Sequence, residues 1–555
     1  MQKQMLVALL LLTNITVSLA QPMVKTDKLL TARLDSILKA EFKATEPGAA
    51  VIAVRKGQIV YKKAVGLADM ELNVAIQPDM IFRLGSITKQ FTAVGILQLA
   101  AQGKLSLQDN IKKYMPDLPF KDSITIEQLL HHTSGIKSYT NKPDFFLNLR
   151  KDKSPMEVIN LTTKDSLEFK PGTKWNYNNT GYVMLGYIIE KVSGQTYEDY
   201  VQQNLFKPAG MTKSYYGSEK RIIPRRVKGY SKAGASFVNS EYISMTLPYA
   251  AGSLIATVDD LWKWNKALYS YKLINKDWLD KALRPYTLPD GSSTNYGYGL
   301  SFANLQGSKT IEHSGGIPGF STDAIYLPKE EVFVAVFSNC ECKSAGDPTA
   351  KIAAAVIGKP IQTKAIAFAE SNAKQYEGIY ENAAGEKRRI EWVDGKLTSK
   401  RGAGTAMTIK ASAKDEFFFE NSLTTMVFKR NATGTVDALV LRSRIDESTW
   451  KKSVEKMETS KGAAPTPLQV VTTVLSGYVG DYTLAPDFIL TISMEGDHLF
   501  TQATGQGKLE LEALSNTRFK TKGVDAIIEF FQDAAGKTES LTLFQGGREM
   551  PAKKQ

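Results

Sequence analysis

The chain has 555 residues, too many for one hydrophobic core, and two to four domains are expected. With 43% hydrophobic and 23% charged residues, it reads as folded rather than disordered or fibrous. The formal net charge of +13 is spread along the chain and gathers into no basic run, so nucleic-acid binding has no footprint.

In chain order, the first segment is a secretory signal. Lys3 precedes an apolar run from Met5 to Leu12, and Ser18-Leu19-Ala20 supplies the small residues of a cleavage site near Ala20. The run is too short for a membrane span, and no later one is long enough. No cysteine follows the cleavage point to carry a lipid anchor. The expected protein is exported, to the periplasm or beyond.

Residues 26–42 read as an amphipathic helix, followed by a hairpin turning at Lys56-Gly57. Ser86 to Gln102 reads as a second helix, with Phe91, Val94, Leu97 and Ala101 at helical spacing and Gly103 as its stop. Residues 105–290 are helix-rich. A further hairpin, STDAIYLPKEEVFVAVFSN, turns at Pro328-Lys329. Strands at both ends with helices between predict one α+β domain over 21–365, its sheet closed by distant segments. Cys340 and Cys342 stand one residue apart, a spacing that strains a mutual disulfide, and they are expected to be reduced thiols at a strand end.

From about residue 373 the chain changes to short strands and turns. YEGIY at 376–380 is echoed by YVGDY at 478–482, an internal duplication offset by 102 residues. Two small all-β units, each an antiparallel barrel or sandwich, are expected at 373–458 and 474–555. The linker between them, 459–473, contains KGAAPTPLQ.

The candidate chemistry lies in FRLGSITKQF, residues 82–91, where Ser86 stands three residues before Lys89. The spacing alone is common: Ser36, Ser134, Ser371, Ser448 and Ser453 repeat it. Ser86 differs because it opens an apolar helix, which sets Lys89 one turn on and on the same face. A serine hydroxyl is a poor nucleophile without a base, and a lysine serves as base only when burial lowers its pKa. The Ser86 backbone N–H at the helix start could form half of an oxyanion hole. Two further motifs can complete such a site. WNYNNTGYVMLG places Tyr177 and Asn179 before an apolar helix, and IEHSGGIPGF places His313-Ser314-Gly315 on a strand, with Gly316 N–H as the second oxyanion donor.

In this order the motifs resemble those of serine hydrolases related to class C β-lactamases and low-molecular-weight penicillin-binding proteins. GKLSLQDNIKKYMPDLP, ITIEQLLHHTSGI, PAGMTKS and AAGSLIATVDDLWKW extend the likeness over roughly residues 30–345. The resemblance implies a β-lactamase/transpeptidase-like catalytic domain, with two small lipocalin-like barrels following it. It implies Ser86 as nucleophile, Lys89 as base and Tyr177 as proton relay. Asn179, His313, Ser314 and Gly315 would contact substrate, and His132 would be structural. The sequence departs from the family's β-lactamases in one respect: His313 stands where they carry a lysine that helps seat a carboxylate. With two β-rich units following, this resembles the D-aminopeptidase branch and its esterase-like relatives.

The expected activity is amide or ester hydrolysis through an acyl-enzyme, on a small peptide, ester or β-lactam-like substrate, with no cofactor and no metal. A D-Ala-D-Ala carboxypeptidase, a weak β-lactamase, a penicillin-binding sensor that never turns over and a cell-wall binding protein are the alternatives. The oligomeric state is left open. No Gly-x-Ser-x-Gly occurs, which removes the α/β-hydrolase elbow, and four histidines without paired carboxylates disfavour a zinc hydrolase.

Overall fold

A computed structural model describes residues 27–454 and 471–555, apart from short stretches at 143–144, 146–148, 235, 362–363, 403–405, 420–421, 445–446, 486–487, 505–506, 523–525, 534–535 and 546–547. The expected signal segment and the KGAAPTPLQ linker lie outside the described residues.

After helix α1 (Lys28–Glu41) come β1 (Ala49–Arg55) and β2 (Gln58–Val65). They are joined at Lys56 and Gly57, both with positive φ, as a two-residue hairpin turn of this twist requires. A 3₁₀ turn at Gly85–Ile87 leads into α2 (Thr88–Ala101), and α3 (Asn179–Ser193) and the short α4 (Tyr249–Gly252) follow. Next come β3 (Ser301–Leu305), β4 (Ser308–Ile317), β5 (Phe320–Leu327), β6 (Val332–Ser338) and α5 (Gly346–Val356). The six strands form one antiparallel sheet in the order β3-β4-β5-β6-β1-β2. β1 pairs with β6 from Ala49 opposite Ser338 to Arg55 opposite Val332, so the domain's two ends meet in the middle of the sheet.

Alternation divides these central strands between two cores. Ala50, Ile52, Val54, Phe333, Ala335 and Phe337 pack into the core that holds α2. Ala49, Val51, Ala53, Val332, Val334 and Val336 face the other way, onto Leu34 and Leu38 of α1 and Ile352 and Val356 of α5. Helix α2 is enclosed on every side: each residue from Thr88 to Leu97 is buried, with Phe91 stacked on Trp264 at 3.9 Å. Its start differs from the expected one. Ser86 belongs to the 3₁₀ turn, because Gly85 at φ 54° leaves the helical backbone there.

Each C-terminal unit is a closed eight-stranded barrel, one from Gly378–Asn382 to Glu447–Lys452 and the other from Gly480–Ala485 to Arg548–Lys554. The duplication reaches side-chain detail. Tyr380 Oη donates to the Tyr376 carbonyl at 2.7 Å, and Tyr482 Oη to the Tyr478 carbonyl at 2.7 Å. Gly378 and Gly480 hold φ of 149° and 145°, and an added Cβ would meet Lys452 Cε and Lys554 Cε respectively, each at 2.7 Å. The chain divides into two compact units after Lys456, the first barrel belonging with the sheet domain. Among the described residues no helix is long and apolar enough to cross a membrane.

Cys340 and Cys342 are joined by a disulfide, which corrects the expectation of reduced thiols. A turn after β6, closed by Cys340 N–H on Ser338 Oγ and Lys343 N–H on the Cys340 carbonyl, brings their Cα atoms to 5.1 Å, within bridging range. The loop it closes is minimal, so little entropy is taken from the unfolded chain. Reduction is expected to cost less than about 2 kcal/mol. Calorimetry with and without reductant checks this, and a drop in Tm beyond about 5 °C, outside that range for a protein this large, would refute it.

Candidate active site

The site forms where the start of α2 meets the free end of β4. β3 begins at Ser301, opposite Glu312, so β4 from His313 to Ile317 has β5 on one side and no strand on the other. The Gly85–Ser86 turn packs over one face of this stretch. A Cβ on Gly85 would lie 3.0 Å from Gly316 N, and one on Gly315 would lie 2.0 Å from the Leu84 carbonyl oxygen and 2.4 Å from Thr322 Oγ1. Thr322 Oγ1 ties the two segments by donating to the Leu84 carbonyl at 2.8 Å. The space beside Gly315 is therefore occupied by protein and not left open for a substrate backbone. Gly316 is the glycine that faces open space: an added Cβ there meets nothing within 4 Å.

Lys89 is wholly buried. Its amine lies 3.2 Å from Ser86 Oγ and donates to Asn179 Oδ1 at 2.8 Å and to the Ala251 carbonyl of α4 at 2.9 Å. None of these partners is a carboxylate. Burial therefore acts unopposed and pushes the Lys89 pKa well below that of an ordinary lysine. The Tyr177 ring lies 4.8 Å from the amine. The Tyr177 hydroxyl is buried without a hydrogen bond of normal geometry, and burial raises its pKa, with the Ser86 hydroxyl as the group acting against that rise.

Asn178 caps α3, its Oδ1 accepting from Gly181 N–H at 2.7 Å, and this fixes Asn179 as the helix's first residue. Asn179 is committed in both directions, accepting from Lys89 and donating through Nδ2 to Thr140 Oγ1 at 3.0 Å. His132 adopts φ 62° and accepts through Nδ1 from Asn178 N–H at 3.1 Å, with its ring 4.4 Å from that of Tyr177. It braces the Tyr177–Asn179 segment from behind.

His313 is buried and both ring nitrogens are engaged. Nδ1 lies 2.6 Å from the Ser314 carbonyl, which can only accept, so Nδ1 carries the proton. Nε2 then accepts from Tyr296 Oη at 2.9 Å. Burial brings the His313 pKa down to about 3, with the Lys89 charge as a smaller cause, and the ring is neutral near pH 7. The neighbouring Ser314 side chain is exposed.

The structure thus brings Ser86, Lys89, Tyr177, Asn179, His313, Gly315 and Gly316 to one place. Sequence reasoning missed Tyr296, the Ala251 carbonyl and the Ser138–Thr140 pair behind Asn179. Tyr296 was the most accessible of these. The run Tyr296-Gly297-Tyr298-Gly299 is unusual, and Gly299 at φ 69° passes so close to α2 that an added Cβ would lie 2.6 Å from the Lys89 carbonyl oxygen.

A serine hydroxyl beside a buried amine whose pKa burial lowers, at a strand edge, is the arrangement of a serine hydrolase. A family model described as Beta-lactamase matches residues 27–359, and one described as a domain of unknown function (DUF3471) matches residues 465–554. The chain is 32% identical over 292 residues to Penicillin-binding protein 4* of Bacillus subtilis (strain 168), covering 49% of this chain and 63% of that protein. It is also 32% identical over 294 residues to the Putative penicillin-binding protein PbpX of the same strain, covering 53% and 71%. The chain thus spans under two thirds of the first of these relatives. Among solved structures, the octameric penicillin-binding protein homologue from Pyrococcus abyssi superposes with TM-score 0.55 at 28% identity, over 76% of this chain and 99% of that one. A D-stereospecific amidohydrolase from Streptomyces sp. superposes with TM-score 0.52 at 27% identity, over 58% and 98%. With the family model matching well over half of its length, the chain belongs to the beta-lactamase family.

Proposed function

We propose that this chain is an exported serine hydrolase that cleaves a small amide or ester, with peptides and amides of D-residues as its preferred class, through an acyl-enzyme on Ser86. The observation that carries the reading is the Lys89 amine, wholly buried, without a carboxylate partner, 3.2 Å from Ser86 Oγ. Burial lowers the pKa of such an amine and so favours the form that can take the hydroxyl proton.

In this mechanism Lys89 Nζ accepts the Ser86 proton as Oγ adds to the substrate carbonyl. The main-chain N–H groups of Ser86 and Gly316 hold the oxyanion, a contribution of about 3 kcal/mol per donor. The carbon–nitrogen or carbon–oxygen bond then breaks, and the proton returns from Lys89 through Tyr177 to the leaving amine or alkoxide. Water, deprotonated by the same pair, releases the acid and restores Ser86. Asn179 fixes the Lys89 amine, while His313, Ser314 and Gly315 form the strand wall along which substrate lies.

His313 separates this reading from that of an efficient β-lactamase. It is neutral near pH 7 and both nitrogens are engaged inside the protein, so it offers no fixed cation to seat a drug's carboxylate. The D-stereospecific amidohydrolase among the similar structures supports an amide of a D-residue. Export is supported by the N-terminal signal pattern and by the Cys340–Cys342 disulfide, a bond that persists in oxidising compartments. The names of the Bacillus relatives favour penicillin recognition as the second reading.

Intact-mass spectrometry of the secreted chain against a D-alanyl anilide, a p-nitrophenyl ester and a cephalosporin separates the two. The expected results are a mature chain beginning near Gln21, product release from the anilide or ester, and at most slow acylation by the cephalosporin. A lasting cephalosporin adduct with no turnover of the other two would replace the hydrolase by a penicillin-binding sensor.

A further inference from the structure

We propose that Arg444, in the last hairpin of the first barrel, is a positioning residue for the reaction, stapling β3 to β4 at the point where their ladder stops and the active-site edge begins. The inference rests on the hydrolase reading above and concerns a part of the chain that takes no part in the chemistry.

The geometry is a bridge made by one residue. Arg444 lies between the barrel strands Val436–Arg442 and Glu447–Lys452. Its carbonyl accepts from Asn304 N–H of β3 at 2.7 Å, and its guanidinium is ion-paired with the Glu312 carboxylate of β4. Glu312 is the last residue of β4 that β3 pairs, and the residue after it is His313. Thr310 Oγ1 also donates to Glu312 Oε2, at 2.8 Å, and Ser301 Oγ donates to the Glu312 carbonyl at 2.9 Å. Past Glu312, among the described residues, β5 is the one strand that pairs with it, yet this is the stretch that must present Gly316 N–H to within a few tenths of an ångström. An oxyanion donor displaced by 1 Å loses much of its value.

What lies behind the strand makes the staple more than a surface ion pair. Asp323 of β5, the register partner of Ser314, is buried on the same face as Glu312. Its carboxyl is pushed up to about 8 by burial and by the Glu312 charge, and Arg444 acts in the opposite direction. Asp347 acts in the same direction as Glu312, and Thr349 in the same direction as Arg444, the arginine that the barrel brings to this corner. Without it, Glu312 loses its ion pair and β3 loses its tie to the hairpin, and the strand end beyond Glu312 is free to shift. Arg444 touches no reacting atom. Its effect runs through Glu312 to the position of His313–Gly316.

The test uses the full chain, comparing wild type with Arg444→Ala, Arg444→Lys, Glu312→Gln and the Arg444→Ala/Glu312→Gln double variant on the anilide or ester that turns over. Arg444→Ala is expected to lower kcat about tenfold while KM changes by less than about twofold, the range found for residues that act on a site through others. Arg444→Lys should recover part of the loss. The double variant should be no slower than the worse single one, because both remove the same link. A wild-type kcat in Arg444→Ala, or losses that multiply in the double variant, would overturn the proposal. Should Arg444→Ala fail to fold, the isosteric Glu312→Gln carries the test alone, and an unchanged kcat there overturns it. If wild type turns over nothing, the hydrolase reading fails separately, and the staple is then read from the cephalosporin acylation rate of Ser86, which Arg444→Ala should slow and which, unchanged, would overturn it.

Discussion

Ser86→Ala is expected to reduce turnover by on the order of 10⁵-fold, and Lys89→Met to fall nearly as far, with the double variant no slower than Ser86→Ala alone. The three results form one prediction because the hydroxyl and the amine act as a unit. The amine 3.2 Å from Oγ has no catalytic use without the nucleophile, and the nucleophile has no base without the amine. Lys89→Met is close to isosteric and keeps the buried volume, although it leaves Asn179 Oδ1 and the Ala251 carbonyl without their shared donor. The pH profile adds an independent sign. Because burial lowers the Lys89 pKa, its base form exists above that depressed value and disappears as the pH falls through it. Activity should therefore fall on the acid side, with no limb in the usual lysine range near 10. His313 adds nothing to a profile recorded between pH 5 and 9, since its ring titrates near 3. A kcat/KM that rises only above pH 9 would remove Lys89 as the base.

Gly315→Ala should cost more than any other single methyl group added to this site. The new Cβ would lie 2.0 Å from the Leu84 carbonyl oxygen and 2.4 Å from Thr322 Oγ1. Neither can give way, because Leu84 immediately precedes the Gly85–Ser86 turn and Thr322 is hydrogen-bonded to it. The strand must move away from Ser86, opening the gap between the two N–H groups proposed to hold the oxyanion. A loss of stability of about 1–3 kcal/mol is expected from the overpacking. Turnover should fall at least 100-fold, roughly what removing one donor costs. Gly316→Ala is the internal control: its Cβ meets nothing within 4 Å and its N–H survives, so the fold and most of the activity should remain. Thermal melts and initial rates on both variants decide the matter. Equal effects at the two glycines would mean that the close approach of β4 to Leu84 does not shape the site.

Much of this site was legible in the sequence because its signals are local. Ser86 and Lys89 are one helical turn apart, Tyr177 and Asn179 flank a capped helix start, and His313 to Gly316 lie in an alternating strand. The missing parts are those that only long-range packing creates. The Ala251 carbonyl is a backbone atom 162 residues from Lys89, and no side chain marks it. Tyr296 looks like a core aromatic until its hydroxyl meets His313 Nε2. Gly315 was read as a substrate contact, whereas the neighbour that occupies the space beside it is the Leu84 carbonyl. The Cys340–Cys342 expectation failed because it assumed an extended strand end where the chain turns. Arg444 had no signal at all, since its importance depends on how a barrel more than 120 residues further along docks onto β4.

The duplicated barrels carry a consequence for how the chain matures. Two neighbouring copies of one architecture in a single polypeptide can exchange strands while folding, because each copy is a template for the other's segments. Here each barrel joins its first strand to its last, Tyr380 with Lys452 in one copy and Tyr482 with Lys554 in the other. A closed ring leaves no unpaired edge to invite a foreign strand. Sequence divergence works in the same direction. The position 102 residues beyond Arg444 is Gly546, so the arginine is not repeated in the second copy's sequence. Closure removes from each copy the open edge through which strands are exchanged, and the two sequences have diverged at this position.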